Sequence, residues 1–421
     1  MKLNAVDLFC GCGGMAEGLL RSGFDIVFAN DISEFASKTY IERHKQLGLI
    51  NGVDYVFYKG DIHNLTGDFI RDSIMSLTKN QELKKIKIDA VFGGPPCQGF
   101  SMAGKRDKND PRNMLFKEYL RVVGEISPDY VVMENVVGFL STKLDGYIGS
   151  DGEEYFGEAS LAPNILLNEF KKIGYKTLRP KILDASDFGV PQFRKRVIFY
   201  AYKKGVKKPN YPKPLENKIS LKEAIGDFYI DGYKSSYIDK RNNNIPLREV
   251  KNTEMTVAKT LTVERFSLYL DGESTVNVKN RIKENGIDLS GFPELIRYLS
   301  KELSLSQSRV INLYKSKNLP NDKLDLLLTK KNVRKKLKKD IPALTVVTIP
   351  DDYINPFNNS IFTVRELARI QSFDDDFIFY GKRTTGGKLR KKETPQYTQV
   401  GNAVPPLLAF SIGSSIVKLL E

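Results

Sequence analysis

The first 202 residues alternate short apolar runs with helix-period patterns, and this alternation restricts the fold more than any other feature of the chain. Residues 3–9, 25–29, 55–58, 88–92, 130–133, 177–183 and 196–202 read as strands. Residues 15–21, 34–44, 116–125 and 162–172 read as helices between some of them. Strand–helix–strand alternation of this kind predicts an α/β fold with a doubly wound, largely parallel sheet. Open sheets of that type bind ligands outside the carboxyl ends of their strands.

Beyond residue 202 the character changes. Residues 203–214, rich in Lys, Pro and Gly, read as an exit linker. Residues 215–340 lose the alternation and gain Asn, Lys and Arg. From residue 341 the chain becomes compact again, with an amphipathic helix predicted at 363–372 and an apolar one at 403–420. Charge follows the same division. Residues 203–340 hold 30 Lys and Arg against 17 Asp and Glu, an excess of 13 within a chain whose net charge is +14. The reading is a neutral scaffold, residues 1–204 and 346–421, interrupted by a basic polyanion-binding domain at 205–345.

Only three cysteines occur in 421 residues, which argues against a disulfide framework and for a reducing compartment. With His44 and His63 as the sole imidazoles, Cys10-x-Cys12 does not read as a metal site. No apolar run approaches the ~20 residues of a membrane span. No signal peptide is evident at the N-terminus, so a cytoplasmic protein without a membrane partner is expected.

Four strand ends carry chemistry. Asp7-Leu8-Phe9-Cys10-Gly11-Cys12-Gly13-Gly14 joins the first strand to the first helix, where glycines let backbone approach a ligand closely. Asp31 ends the second strand, where a carboxylate can hold ribose hydroxyls. No Walker Lys-Ser/Thr pair follows the glycines, so a nucleotide triphosphatase is not indicated. Gly93-Gly94-Pro95-Pro96-Cys97 forms a stiff turn that presents a thiol, a strong nucleophile once ionised. Met133-Glu134-Asn135-Val136 places a carboxylate at another strand end, suited to acid catalysis or to a structural ion pair. Alternation through Gln192-Phe193-Arg194-Lys195-Arg196 puts Gln192, Arg194 and Arg196 on one face, able to bind a carbonyl or phosphate oxygen.

Taken together, these blocks resemble the DNA cytosine-5 methyltransferases. The resemblance lies in Asp7 to Gly14, Gly94-Pro95-Pro96-Cys97-Gln98-Gly99-Phe100-Ser101, Glu134-Asn135-Val136, Gln192 to Arg196, Arg365 to Phe373, and Gly401-Asn402-Ala403-Val404-Pro405-Pro406, in the family's order. It covers the chain outside roughly 205–340, and the Pro-Pro-Cys-Gln block with Glu-Asn-Val is highly specific. It implies a Rossmann-like methyltransferase sheet and a methyl transfer from S-adenosylmethionine to C5 of cytosine in duplex DNA, leaving S-adenosylhomocysteine. No metal is expected.

The resemblance also assigns roles. Cys97 attacks C6 of the cytosine, Glu134 hydrogen-bonds N3, and Arg196 with Arg194 binds the base's O2 and nearby phosphate. The cofactor falls to Phe9, Gly11, Cys12, Gly13, Gly14, Asp31, Ile32, Asp61, Ile62, Pro96, Leu115 and Asn402, with Asp61 on the adenine amino group. DNA contacts fall to Gln98, Ser101, Lys105, Arg106, Arg112 and Gln192, with 99–113 resembling the family's mobile catalytic loop. A base inside a duplex cannot reach such a pocket, so it would be flipped out, at a cost of ~ a few kcal/mol. Two positions depart from the family pattern: Asp31 stands where Glu is usual, and Asp374 stands where Pro usually follows the Phe.

The basic insert matches the position of the family's target-recognition domain. Within it, 294–302, 307–317 and 322–331 read as three helices, a candidate helix–turn–helix-like unit at 294–331. Gln307 and Arg309 would open the groove-facing helix; three helices that simply pack are the other reading. The expected role is the modification enzyme of a restriction–modification system, whose cognate endonuclease shares the site without touching this chain, in a prokaryotic cytoplasm at the nucleoid. Two other functions stay open at this point. A tRNA-directed relative is disfavoured by the sizeable insert and the lack of a Cys-Phe-Thr motif. A catalytically silent DNA-binding relative is disfavoured by the intact Cys97 and Glu134.

Overall fold

A computed structural model describes residues 3–77, 86–96, 114–241, 245–256, 258–328, 331–385, 389 and 393–420. Strands β1 (Leu3–Leu8), β2 (Phe24–Asp31), β3 (Val56–Lys59), β4 (Ala90–Gly93) and β5 (Tyr130–Val136) run parallel. A small antiparallel pair, β6 (Tyr147–Ile148) and β7 (Glu154–Tyr155), stands apart. The main sheet is completed by β8 (Tyr175–Thr177), β9 (Lys181–Asp184) and β10 (Lys195–Lys203), with β10 antiparallel to β5, β8 and β9. The strand order is β3-β2-β1-β4-β5-β10-β8, with β9 also on β10. The chain winds outward from β1 to β3, then returns to β4 on the other side of β1. Strand order therefore reverses between β1 and β4, and in open sheets of this type the carboxyl ends at such a reversal form the ligand crevice.

Helices α1 (Gly14–Ser22), α2 (Glu34–Gln46), α3 (Gly67–Met75), α4 (Leu115–Ile126) and α5 (Ala162–Lys172) cover the sheet. Successive β1 residues divide between its two faces: Val6 and Leu8 pack with Ile70, Ile74, Phe116, Leu120 and Leu166, whereas Ala5 packs with Met15 and Leu19. The largely parallel, doubly wound sheet expected from the alternation is the one observed. Residues 177–183, read as one strand, split into β8 and β9 around Pro180, which has no N–H for a ladder.

Past residue 220 come α6 (Leu221–Ile225), α7 (Ser236–Lys240), α8 (Thr260–Ser267), α9 (Thr275–Asn285), α10 (Pro293–Leu303), α11 (Gln307–Lys315) and α12 (Asn321–Leu327). Helices α8 to α12 bury Phe266, Val278, Ile282, Leu295, Leu299, Val310, Tyr314 and Leu324 in a core of their own. By contrast Leu221, Ala224 and Tyr237 pack with Ala343, Phe362, Leu367 and Tyr397 of the returning chain.

The return runs through β11 (Lys335–Lys336), β12 (Tyr353–Ile354), α13 (Val364–Ile370), α14 (Gln396–Asn402) and α15 (Pro406–Leu420). The apolar helix read at 403–420 begins only at Pro406, and residues 403–405 separate it from α14, because Pro405 and Pro406 remove donors and the residue before a proline is pushed toward extended backbone. Gln396–Leu420 is long enough for a membrane span and contains an 18-residue window of mean hydropathy 1.6. Yet Leu408, Ala409, Ile412 and Ile416 are buried in the sheet's second core. The approach of α15 to α1 depends on two glycines. A Cβ on Gly14 would lie 2.4 Å from the Val404 carbonyl oxygen, and one on Gly18 would lie 2.3 Å from that of Pro406.

Candidate active site

The carboxyl end of β1 turns sharply, with Phe9, Gly11 and Gly13 all at positive φ. Cys10 N–H donates to Asn30 O at 3.0 Å, which continues the β1–β2 ladder into the turn. Gly11 N–H donates to Asp31 Oδ2 and Ser33 N–H to Asp31 Oδ1, each at 2.8 Å. Asp31 thereby ties the loop to the next strand end, and its shorter side chain suits contact with its own backbone. Burial pushes its carboxyl up, against the pull of those N–H groups.

The glycines of this loop divide by what faces them. A Cβ on Gly11 would meet no atom of the described residues within 4 Å, so among these it borders open space. Gly13 makes room for the Tyr40 ring and Gly14 for the Val404 carbonyl. Cys12 turns away from the crevice: its thiol sits 3.6 Å from Gln399 O, and burial pushes its pKa up to about 12. Below the loop Asp7 is 1% exposed, and its Oδ2 has no hydrogen-bond partner among the described residues. Burial, with Asp31 nearby, holds its carboxyl well above the usual range.

Around this opening stand Ile32, 69% exposed despite its size, and Asp61, which caps the short turn Ile62–Asn64. Ile62 itself is buried in the first core, so only its backbone borders the crevice. Leu115 begins α4, half-buried against the same core, and Asn402 ends α14 with an exposed side chain.

The second half of the site lies where β4 and β5 end. Glu134, 9% exposed, reaches toward Gly94: a Cβ there would be 3.1 Å from Glu134 Oε2. Asn135 Nδ2 donates to Pro95 O at 3.3 Å, anchoring the Gly-Pro-Pro turn to β5. Arg196 Nε is 2.8 Å from Glu134 Oε1. The described turn ends at Pro96. Cys97, Gln98, Ser101, Lys105, Arg106 and Arg112 lie outside the described residues.

Arg194 and Gln192 do not join Arg196. Both precede β10 and are covered by the returning chain. Arg194 Nη1 donates to Val346 O at 3.2 Å, and Nη2 donates to Gly401 O at 3.0 Å and Ala403 O at 3.1 Å. Burial drives its pKa well below that of a free guanidinium. Gln192 Nε2 donates to Gln371 Oε1 at 2.7 Å, while its Oε1 accepts from Val346 N–H at 2.7 Å. Arg194 is thus a buried strut rather than a base-binding group, and Gln192 is too buried to touch DNA. Strand alternation carried all three residues onto one face because it could not anticipate the segment that covers two of them. Asp374, the second departure from the family pattern, pairs with Arg21 and Arg241.

These strand-end features coincide with a family signature that spans the molecule: residues 3–418 match the model of the C-5 cytosine-specific DNA methylases. The chain belongs to that family. Among relatives, the Type II methyltransferase M.DdeI of Desulfomicrobium norvegicum is 30% identical over 436 residues, covering 100% of this chain and 89% of that one. M1.HphI of Haemophilus parahaemolyticus is 31% identical over 425 residues, covering 100% and 88%. In fold, this methylase is similar to an E. coli prophage-encoded protein described as a DNA modification methyltransferase, with a TM-score of 0.65 at 22% identity covering 100% and 99% of the two chains. It is also similar in fold to the Entamoeba histolytica methyltransferase EhMeth, with a TM-score of 0.55 at 15% identity and coverage of 100% and 99%. The protein is accordingly a DNA cytosine-5 methyltransferase, and its family and fold imply S-adenosylmethionine as methyl donor.

Within this methylase, reading the sequence missed two supporting residues. Asn135 was visible as part of Glu-Asn-Val but not its hold on Pro95, and nothing local signalled His63, which contacts Asp61.

Proposed function

We propose that this methylase works through a covalent bond between Cys97 and C6 of a flipped-out cytosine. Carbon 5 of cytosine is a weak nucleophile, and thiolate addition at C6 gives it carbanion character. The Arg196–Glu134 pair, 2.8 Å apart beside the turn that leads into Cys97, is the observation that carries this reading. Glu134 hydrogen-bonds N3 and stabilises the charge that develops on the ring. Arg196 holds the carboxylate by Nε and the Lys195 carbonyl by Nη1 at 2.8 Å, and offers Nη2 to the base's O2. Departure of the C5 proton and of Cys97 restores aromaticity.

The residues at the carboxyl ends of β1 to β3 suit a nucleoside-bearing donor. Gly11 borders open space, Ile32 presents an exposed apolar side chain, and Asp61 offers a half-exposed carboxylate. Phe9, Leu115 and Asn402 complete the ring of contacts, with the backbone of Cys12, Gly13, Ile62 and Pro96. When bound, S-adenosylmethionine supplies an electrophilic methyl group.

The substrate is a specific sequence of duplex DNA. Residues 205–345, and α8 to α12 in particular, serve as the target-recognition domain inserted between 1–204 and 346–421. In this reading the protein modifies DNA beside a cognate endonuclease, as the Type II names of its relatives suggest. Incubating it with labelled S-adenosylmethionine and duplex DNA, then sequencing for 5-methylcytosine, tests the proposal. Methyl transfer that survives Cys97→Ser, or a product methylated on the exocyclic nitrogen, refutes it.

A further inference from the structure

We propose that His63 is a positioning residue for the cofactor's adenine. This inference rests on the reading above in which Asp61 binds the adenine amino group. The β2–β3 ladder brings Lys59 opposite Asp31, and Asn30 Nδ2 donates to Tyr58 O and Gly60 O at 3.0 and 2.9 Å. Asp61 therefore begins its turn from a backbone fixed against the second strand end. Its side chain would still rotate freely, since it is 44% exposed.

His63 removes that freedom. Its backbone N–H donates to Asp61 Oδ1 at 3.0 Å, and its ring Nδ1 lies 2.6 Å from the same oxygen. The backbone bond alone would suffice to cap the turn, as Asp commonly does. The ring contact adds something capping does not require. It takes a second bond to Oδ1 and leaves Oδ2 without a partner among the described residues. The carboxylate is thus held with one oxygen committed to His63 and the other left available to a ligand. A contact to the charged form also pulls the Asp61 pKa down, keeping Oδ2 an acceptor. Adenine offers a donor, its exocyclic N–H, whereas a 6-oxo purine offers only a carbonyl at that place. A fixed acceptor at Oδ2 discriminates between the two better than a rotating one.

The test is calorimetric binding of S-adenosylhomocysteine and of its 6-oxo (inosine) analogue to the full chain, for wild type, Asp61→Ala, His63→Ala, His63→Asn and the double alanine variant. His63→Ala should weaken S-adenosylhomocysteine by about threefold to tenfold and shrink the adenine-over-hypoxanthine preference, the scale of one lost hydrogen bond. His63→Asn, which can still donate to Oδ1, should recover most of both. In the Asp61→Ala background His63→Ala should have no further effect. If Asp61→Ala leaves affinity and preference unchanged, the underlying reading fails. If Asp61→Ala weakens binding but His63→Ala changes neither affinity nor preference, or acts equally in both backgrounds, the positioning role is overturned.

Discussion

Arg196 and Glu134 meet across the antiparallel ladder of β10 and β5, Nε to Oε1 at 2.8 Å, with side chains only 13% and 11% exposed. A largely buried pair of this kind fixes both groups without consuming them. Arg196→Met should therefore leave the fold intact while lowering single-turnover methylation at least about a hundredfold, the scale of a lost electrostatic stabiliser. Rapid-quench assays and thermal melts check it. A normal rate with a lowered Tm would mean that the pair is structural.

Arg194 predicts the opposite outcome two residues away. Its guanidinium satisfies the carbonyls of Val346, Gly401 and Ala403, with no carboxylate beside it in these bonds. Arg194→Met strands buried acceptors and should cost about 3 kcal/mol of stability. Urea unfolding should show the loss, while the rate per folded molecule stays within a few-fold of wild type.

The glycine loop separates space from contact. Gly14→Ala drives a Cβ to 2.4 Å from backbone oxygen and should destabilise by about 1–3 kcal/mol. Gly11→Ala meets no atom of the described residues within 4 Å and should cost only about 1–2 kcal/mol of backbone strain at its positive φ. Its methyl group points into the open bay, so S-adenosylhomocysteine binding by calorimetry should fall more for Gly11→Ala than for Gly14→Ala.

His44 sets an acid limit on stability. Its ring stacks on Tyr40 at 4.1 Å between centroids, and Nδ1 donates to Tyr40 O at 3.0 Å. Nε2 is buried without a partner among the described residues, so a proton there meets no acceptor among them. Burial lowers its pKa from 6.5 to about 4. The folded state therefore binds this proton less readily than the unfolded chain. The contribution is fully present above about pH 6.5 and is lost as pH falls toward 4, on the order of 3 kcal/mol in all. The buried carboxyls of Asp7 and Asp31, raised by burial, act in the reverse sense. The comparison is thus between wild type and His44→Phe, which keeps the stacking. Urea unfolding from pH 4 to 7 should show a flatter profile for the variant.

Where local pattern decides structure, the sequence was enough to place it. The apolar runs that became β1, β2, β4, β5 and β10 pair with neighbours on a shared core, so period and length suffice. Helix α3 was missed because only Gly67, Ile70 and Ile74 of its nine residues are buried, too few to mark a stripe. Ile62 was assigned to the crevice by its motif, yet its side chain belongs to the core. Gln192 and Arg194 were misplaced for a reason no local rule can mend, since their partners lie some 150 to 210 residues further along the chain.

The last prediction concerns target choice. Helix α11 opens at Ser306, whose Oγ accepts from Arg309 N–H, and buries Val310 and Tyr314 against the core of α8 to α12. Its other side exposes Gln307, Ser308, Arg309 and Asn312, and no acidic residue occurs from 303 to 321. Gln, Asn and Arg are the side chains that pair with two atoms of adenine or guanine in a major groove. If this face reads bases, Gln307→Ala and Arg309→Ala should relax preference at individual positions by about 1–3 kcal/mol each, seen as new methylated sequences in genome-wide 5-methylcytosine maps. A purely electrostatic contact would instead weaken all sites together and reduce the salt dependence of binding. Unchanged preference in both variants would assign target choice to another surface of the insert.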